Sequence, residues 1–217
     1  MHPEFTDTDL PYKLLHSIQN SLWRYAYKGI SMYKNPFDLA LYTKLLWDAK
    51  PRSIIEIGSQ AGGSAIWFAD QLMAQGLEGH VFSIDLNKVQ SVVHPRVTFL
   101  QGDALRLGDA LPPSEIAALA RPLLVIEDSA HTRKASLAVL EYMEPLMQPG
   151  EYLVVEDGIV DHLPAVRHLF DGGPNAAIAA FLETYGHRWM VDRQLCDFFG
   201  YNVTWNTNGF LLKLSNG

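Results

Sequence analysis

With 217 residues, 48% of them apolar, the chain suits one domain with a sizeable buried core, and its composition excludes wholesale disorder. A formal net charge of −7 argues against a nucleic-acid backbone or an anionic membrane as the main partner. A single cysteine, Cys196, excludes an intrachain disulfide and reads as a small buried side chain, while the polar, acidic N-terminus is unlike a secretory signal. No apolar run approaches the ~20 residues needed to span a bilayer, so a cytoplasmic protein is expected.

In chain order, the first fifty residues read as helical around 10–26 and 37–49. They are assigned as a segment of their own, 1–50, serving as a lid or an oligomer contact, with a homo-oligomer as the expected assembly. From residue 51 to 217 short β-branched runs alternate with helical stretches. The strand candidates are 53–57, 80–84, 97–100, 123–126 and 152–155, each nearly continuous in apolar residues, as in a parallel sheet covered on both faces. Helical stripes are expected over 64–75 and 132–147, with Pro145 ending the second one early. Further helical stretches are read at 163–170 and 176–185, and two more strands at 188–193 and 209–214 form a closing antiparallel pair. The predicted class is a doubly wound, mostly parallel seven-stranded α/β sheet with right-handed crossovers.

The segment Glu56-Ile57-Gly58-Ser59-Gln60-Ala61-Gly62-Gly63-Ser64 ends a buried strand and opens a helix. Glycines there permit a sharp turn and close approach of a ligand, and the free N–H groups of the first helical turn suit a polar group. The spacing departs from the dinucleotide fingerprint because position 60 is Gln. Glu56 instead points to S-adenosylmethionine, whose ammonium and sulfonium a carboxylate can balance. Asp85, ending the second strand, is placed to accept hydrogen bonds from both ribose hydroxyls. After the third strand Asp103, followed by Ala104, is placed to pair with the adenine amino group. With Gly58, Ser59, Gly63, Ser64 and Asp128, these residues make up the expected cofactor crevice at the carboxyl ends of the strands. Asp85 taken alone reads equally as a helix cap.

The fourth strand runs into Glu127-Asp128-Ser129-Ala130-His131 and the fifth into Glu156-Asp157-Gly158. Adjacent parallel strands bring these tips together, and like charges at one spot repel unless a cation joins them. Asp128, Glu156 and Asp157 form an all-oxygen set suited to a hard divalent ion such as Mg²⁺, Mn²⁺ or Ca²⁺. The plainer alternative is that these acids cap helices or pair with Arg133, Lys134 or Arg167. It is the preferred reading for Glu127, which strand alternation turns away from Asp128. His131 is placed in the same crevice as a general base for a hydroxyl, with a structural hydrogen-bonding role as its alternative.

These residues resemble the cephalosporin hydroxylase / rhamnosyl O-methyltransferase family. The resemblance is carried by Lys28-Gly29-Ile30, Asn35-Pro36-Phe37-Asp38-Leu39, the 56–64 motif, Asp128-Ser129-Ala130-His131, the 149–157 run and Asn208-Gly209-Phe210-Leu211. It implies a class I methyltransferase fold, S-adenosyl-L-methionine as methyl donor and Mg²⁺ on Asp128, Glu156 and Asp157. It further implies His131 as the base for a hydroxyl of a small-molecule natural product or sugar. Two other readings compete. A non-haem iron hydroxylase needs a second histidine beside His131, and a non-catalytic S-adenosylmethionine-binding partner has no use for repelling acids in a crevice. Tyr33, Trp189, Phe198, Phe199, Tyr201 and Trp205 are candidates either for an apolar acceptor wall or for core and subunit contacts.

Overall fold

The structure, a computed structural model, describes residues 7–215. Helix α1 (Tyr12–Leu22) leads into a two-residue-stranded hairpin, β1 (Ala26–Tyr27) and β2 (Ile30–Ser31), and then into α2 (Pro36–Ala49). The sheet begins with β3 (Ser53–Ile57), followed by α3 (Gly63–Ala74), β4 (His80–Asp85) and β5 (Val97–Gln101). Two short helices, α4 (Leu107–Ala110) and α5 (Pro113–Ala118), precede β6 (Leu123–Glu127), α6 (Arg133–Met143) and β7 (Tyr152–Val155). The chain closes with α7 (Gly173–Tyr185), β8 (Trp189–Val191), α8 (Arg193–Cys196) and β9 (Phe210–Lys213).

The seven-stranded sheet has the order β5-β4-β3-β6-β7-β9-β8. The first five positions are parallel, and β9 runs antiparallel to both β7 and β8. The expected doubly wound sheet with an antiparallel closing pair is therefore present. Chain order reverses between β3 and β6, which opens a crevice at their carboxyl ends.

Alternation along the buried strands divides the core into two layers. Ile54, Leu124, Ile126 and Val154 pack with Tyr42, Leu45 and Phe68 of α2 and α3. Ile55, Ile57, Val125 and Val155 pack with Val139, Leu140 and Phe181 of α6 and α7. Helix α2 shares this face of the sheet with α3: its Leu41, Tyr42, Leu45 and Leu46 are all buried. Helix α1 lies further out, with Leu15 and Leu22 in a smaller cluster beside Ile159, Val203 and Trp205. Among the described residues no helix is long and apolar enough to cross a membrane.

Two elements differ from the sequence expectation. The first helix stops at Leu22, because Lys28 and Gly29 take positive φ (51° and 80°) as the two central residues of a tight hairpin turn. Residues 163–170 hold only a short 3-10 turn, Arg167–Leu169. Successive positive φ angles at Asp171, Gly172 and Gly173 prevent that turn from joining α7. The 132–147 stripe behaves as Pro145 requires: the α-helix ends at Met143 and continues as a 3-10 turn, Glu144–Leu146.

Candidate active site

At the tip of β3, Gly58 (φ 109°) is the position that demands glycine: a Cβ there would strike the backbone carbonyl of Asp128. The close approach lets Gly58 N donate to Ile84 O (2.8 Å) and Asp128 N donate to Ile57 O (2.8 Å), so the tips of β4, β3 and β6 are laced together. One position beyond β3's turn, Gln60 has φ 46° and donates its N–H to Asp85 Oδ2 at 2.9 Å. Asp85 Oδ1 also accepts from Asn87 N (3.1 Å). Asp103 caps the turn after β5 by accepting from Leu105 N (2.9 Å).

Gly58, Ser59, Ser64, Asp85, Asp103, Ala104 and Asp128 all border a cavity of ≈ 610 Å³ that continues to His131 and Asp157. Two residues expected on the cofactor do not border it. Glu56 points from β3 into the layer beneath α2 and α3, fully buried, where it accepts from Ser83 Oγ. Burial raises its pKa, opposed by Lys34, and its Oε1 has no hydrogen-bond partner among the described residues. Gly63 begins α3 against the hairpin, its Cβ position taken by the carbonyl oxygen of Ser31. Its small size serves packing.

At the other end of the cavity Asp128, His131 and Asp157 converge, with candidate ligand atoms all within 4.8 Å of one another. His131 Nε2 lies 3.4 Å from Asp157 Oδ2, and Nδ1 lies 3.9 Å from Asp128 Oδ1. Nδ1 is buried without a hydrogen-bond partner among the described residues. Both His131 (φ 52°) and Asp157 (φ 59°) adopt the left-handed region, costly for residues with a Cβ and common where a site is held under strain.

The expected third acid, Glu156, is held beside Asp128 by a shared lysine and a tyrosine in this arrangement. Its Oε2 accepts from Lys34 Nζ at 2.5 Å and its Oε1 from the Tyr42 hydroxyl at 2.5 Å. Lys34 also donates to Asp128 Oδ2. Glu127, as alternation requires, lies on the opposite face, but its partners are Ser129 and Ser136 (2.6 Å to Ser136 Oγ) instead of a basic residue.

Lys34 was missing from the sequence reading, and Asp38 entered it only as part of the Asn35–Leu39 run that carries the resemblance. Asn35 caps α2 by accepting from Asp38 N (3.0 Å), and Pro36 occupies its first turn. The cap turns the preceding Lys34 inward, where only 4% of it is exposed. Asp38 accepts from Asn35, Thr204 and the backbone of Trp205, and burial pushes its pKa up to about 7. The cap-and-proline pair was visible in the sequence. The partners of Lys34, 94 and 122 positions away, were not.

The electrostatics report an excess of acid. Burial first, then Asp128, pushes Glu156 up to about 8, and burial lifts Asp128 to about 6 against the pull of Lys34 and His131. For His131 burial lowers the pKa, but Asp157, Asp128, Glu127 and Glu156 outweigh it and the net shift is upward. The ammonium of Lys34 is raised likewise: burial opposes its charge, and Asp128, Glu156 and Glu56 prevail. One lysine does not neutralise this group. Oxygen donors in excess, beside a single imidazole, fit a hard divalent cation.

Aromatic side chains border the cavity above these acids. Trp23, 62% exposed, meets Tyr33 edge-on at 5.1 Å, and Trp205 completes the wall. Of the other candidates, Trp189 is core against Phe181, while Phe198, Phe199 and Tyr201 are exposed and do not border the cavity.

Comparison with known proteins places the chain among O-methyltransferases. A rhamnosyl O-methyltransferase of Mycobacterium leprae (strain TN) is 30% identical over 209 residues, covering 89% of this chain and 86% of the relative. One from a Mycobacterium bovis BCG strain is 29% identical over 203 residues, covering 89% and 80%. Among solved structures, CmcI with Mg and SAM superposes with a TM-score of 0.66 at 25% identity, over 89% of this chain and 78% of that one. The MycE methyltransferase with Mg and SAH shares the fold, with a TM-score of 0.51 at 19% identity over 67% and 39%. A family model described as Rhamnosyl O-methyltransferase/CmcI matches residues 19–214, and the chain belongs to that family.

Proposed function

We propose that the chain is an O-methyltransferase that moves the methyl group of S-adenosylmethionine to a hydroxyl of a sugar or related natural product, with a divalent cation at the acidic end of the cavity. The observation that carries this reading is the single cavity that joins Asp85 and Asp103 at one end to Asp128, His131 and Asp157 at the other. The donor set agrees with it. Asp128 and Asp157 would hold the ion with Glu156 as a third oxygen donor, and Mg²⁺ is the cation named with the solved relatives CmcI and MycE. The lone histidine disfavours an iron oxygenase, which commonly uses two.

When bound, S-adenosylmethionine supplies an electrophilic methyl group, and the divalent ion supplies positive charge beside the acceptor oxygen. The chain's own residues do the rest. Asp85 orients the ribose while its other oxygen keeps the Asn87 N–H. His131 takes the hydroxyl proton, and Asp157 and Asp128 on either side of its ring stabilise the imidazolium that results. Trp23, Tyr33 and Trp205 keep water from the acceptor and fix its approach, so catalysis is largely positioning plus charge stabilisation. We assign α1 as the lid of this cavity, because Gln19, Leu22 and Trp23 at its end border it. The acceptor is a small molecule, one of whose vicinal hydroxyls reaches the acids.

Asp128→Ala tests the reading. Methyl transfer from labelled S-adenosylmethionine is expected to vanish at any Mg²⁺ concentration, while adenosylhomocysteine still binds in calorimetry. An unimpaired variant would overturn the assignment.

A further inference from the structure

Lys34 raises a question the reaction does not answer: what an ammonium group does inside the carboxylate set. Its Nζ donates to Asp128 Oδ2 and to Glu156 Oε2, the latter at 2.5 Å, and the second oxygen of Glu156 is already taken by the Tyr42 hydroxyl. A divalent ion held by Asp128 and Glu156 needs lone pairs on those same oxygens. Two cations sharing one pair of oxygens beside the almost wholly buried Glu156 repel strongly, so ammonium and metal are alternatives there. Removal of the ion without a substitute would leave two neighbouring acids, one of them almost wholly buried, without a counter-charge, which is costly. Lys34 is the substitute within reach.

The surroundings allow an exchange. Lys34 also borders a second cavity of ≈ 410 Å³ between α1 and the start of α2, lined by Ser17, Ile18, Ser21, Leu22, Pro36 and Leu39. That space lets the side chain withdraw without disturbing the N-cap of α2, which depends on Asn35 and Asp38.

We propose that Lys34 is a resident counter-ion that competes with the divalent cation for Asp128 and Glu156. It holds the two carboxylates in place when the ion is absent and weakens their grip on it when the ion is present. Metal uptake is then an exchange of an internal ammonium for an external ion, and Lys34 is a positioning residue that sets metal affinity. This rests on the reading of Asp128, Glu156 and Asp157 as metal ligands.

The experiment is calorimetric titration of the full chain with Mg²⁺ and with Mn²⁺, in parallel with thermal melts in chelator and in excess metal. Lys34→Met keeps the length of the side chain and removes its charge; it is expected to bind the ion about tenfold or more tightly than the wild type. It is also expected to melt lower than the wild type in chelator and to gain more on adding metal. Lys34→Arg retains the charge and is expected to bind no more tightly than the wild type. Should Lys34→Met fail to fold in chelator, refolding in Mg²⁺ is expected to rescue it; a fold lost in both conditions overturns the proposal. Equal or weaker metal binding by Lys34→Met overturns it too and leaves the ligand assignment standing. If neither wild type nor variant takes up metal, the ligand assignment falls along with the proposal.

Discussion

The two ends of the cavity are built in opposite ways. At the open end Asp85 and Asp103 are half-buried and bond to backbone N–H groups no more than two residues ahead, with Gln60 N as the one distant partner. At the closed end Glu156 and Lys34 are almost wholly buried, and their partners come from α2, β6 and β7. The open end is a set of turn caps with acceptor capacity to spare for a ligand. The closed end is a network in which Asp128 and Glu156 share Lys34 while His131 Nδ1 is left without a partner among the described residues, and it needs a cation to be neutral. A cofactor that must enter and leave suits the first construction, and charge that must be held ready for chemistry suits the second.

The sharpest way to break that contrast is to disable each end separately. His131→Ala is expected to lower kcat by about 10²–10⁴ with adenosylhomocysteine affinity unchanged, as measured by steady-state kinetics and calorimetry. Asp85→Ala acts at the open end and should do the reverse, raising KM for S-adenosylmethionine roughly tenfold with kcat nearly constant, since it removes hydrogen bonds to a charged acceptor. If His131→Ala changed cofactor binding as much as turnover, the two ends would not be separate devices.

Smaller effects probe the closed network. Tyr42→Phe removes the hydroxyl that serves Glu156 Oε1 and receives Asn206 Nδ2 at 3.4 Å; it should cost about 1–3 kcal/mol of stability in urea unfolding, at the cost of an unmet buried acceptor. Asp38 supplies the pH readout. Burial raises its folded pKa to about 7, so the native chain binds its proton more tightly than the unfolded chain does. That contribution is complete below the ordinary carboxylate pKa of about 4 and is lost as pH rises towards 7. Asp38→Asn should therefore flatten the stability–pH curve between those limits, and an unchanged slope would show that another group governs it.

Much of the open end was legible in the sequence. Strands 53–57 and 152–155 coincide with β3 and β7, because runs buried on both faces have a distinctive composition. The reversal of Glu127 away from Asp128 followed from a period of two. Where the reading stopped, the reason was spatial. Within the Glu56–Ser64 motif Glu56 was read as a cofactor contact, yet it alternates with Ile55 and Ile57 into the layer under α2 and α3. The hairpin at 26–31 went unread, its first residue placed at the end of a helix, since two positive φ angles at Lys28 and Gly29 leave no trace in hydrophobic pattern.

By itself the sequence determined the alternating α/β order, the glycine turn at the first strand tip and the acids at the fourth and fifth tips. Those features rest on local period, turn chemistry and the exclusion of charge from buried strands. Only the tertiary structure decided how the acids are neutralised. It brought a lysine ahead of an N-cap onto Asp128 and Glu156, and it paired His131 with Asp157. Such partners are chosen by the packing of α2 across the sheet, and electrostatic pairing over long separations in chain has no signature along the chain itself.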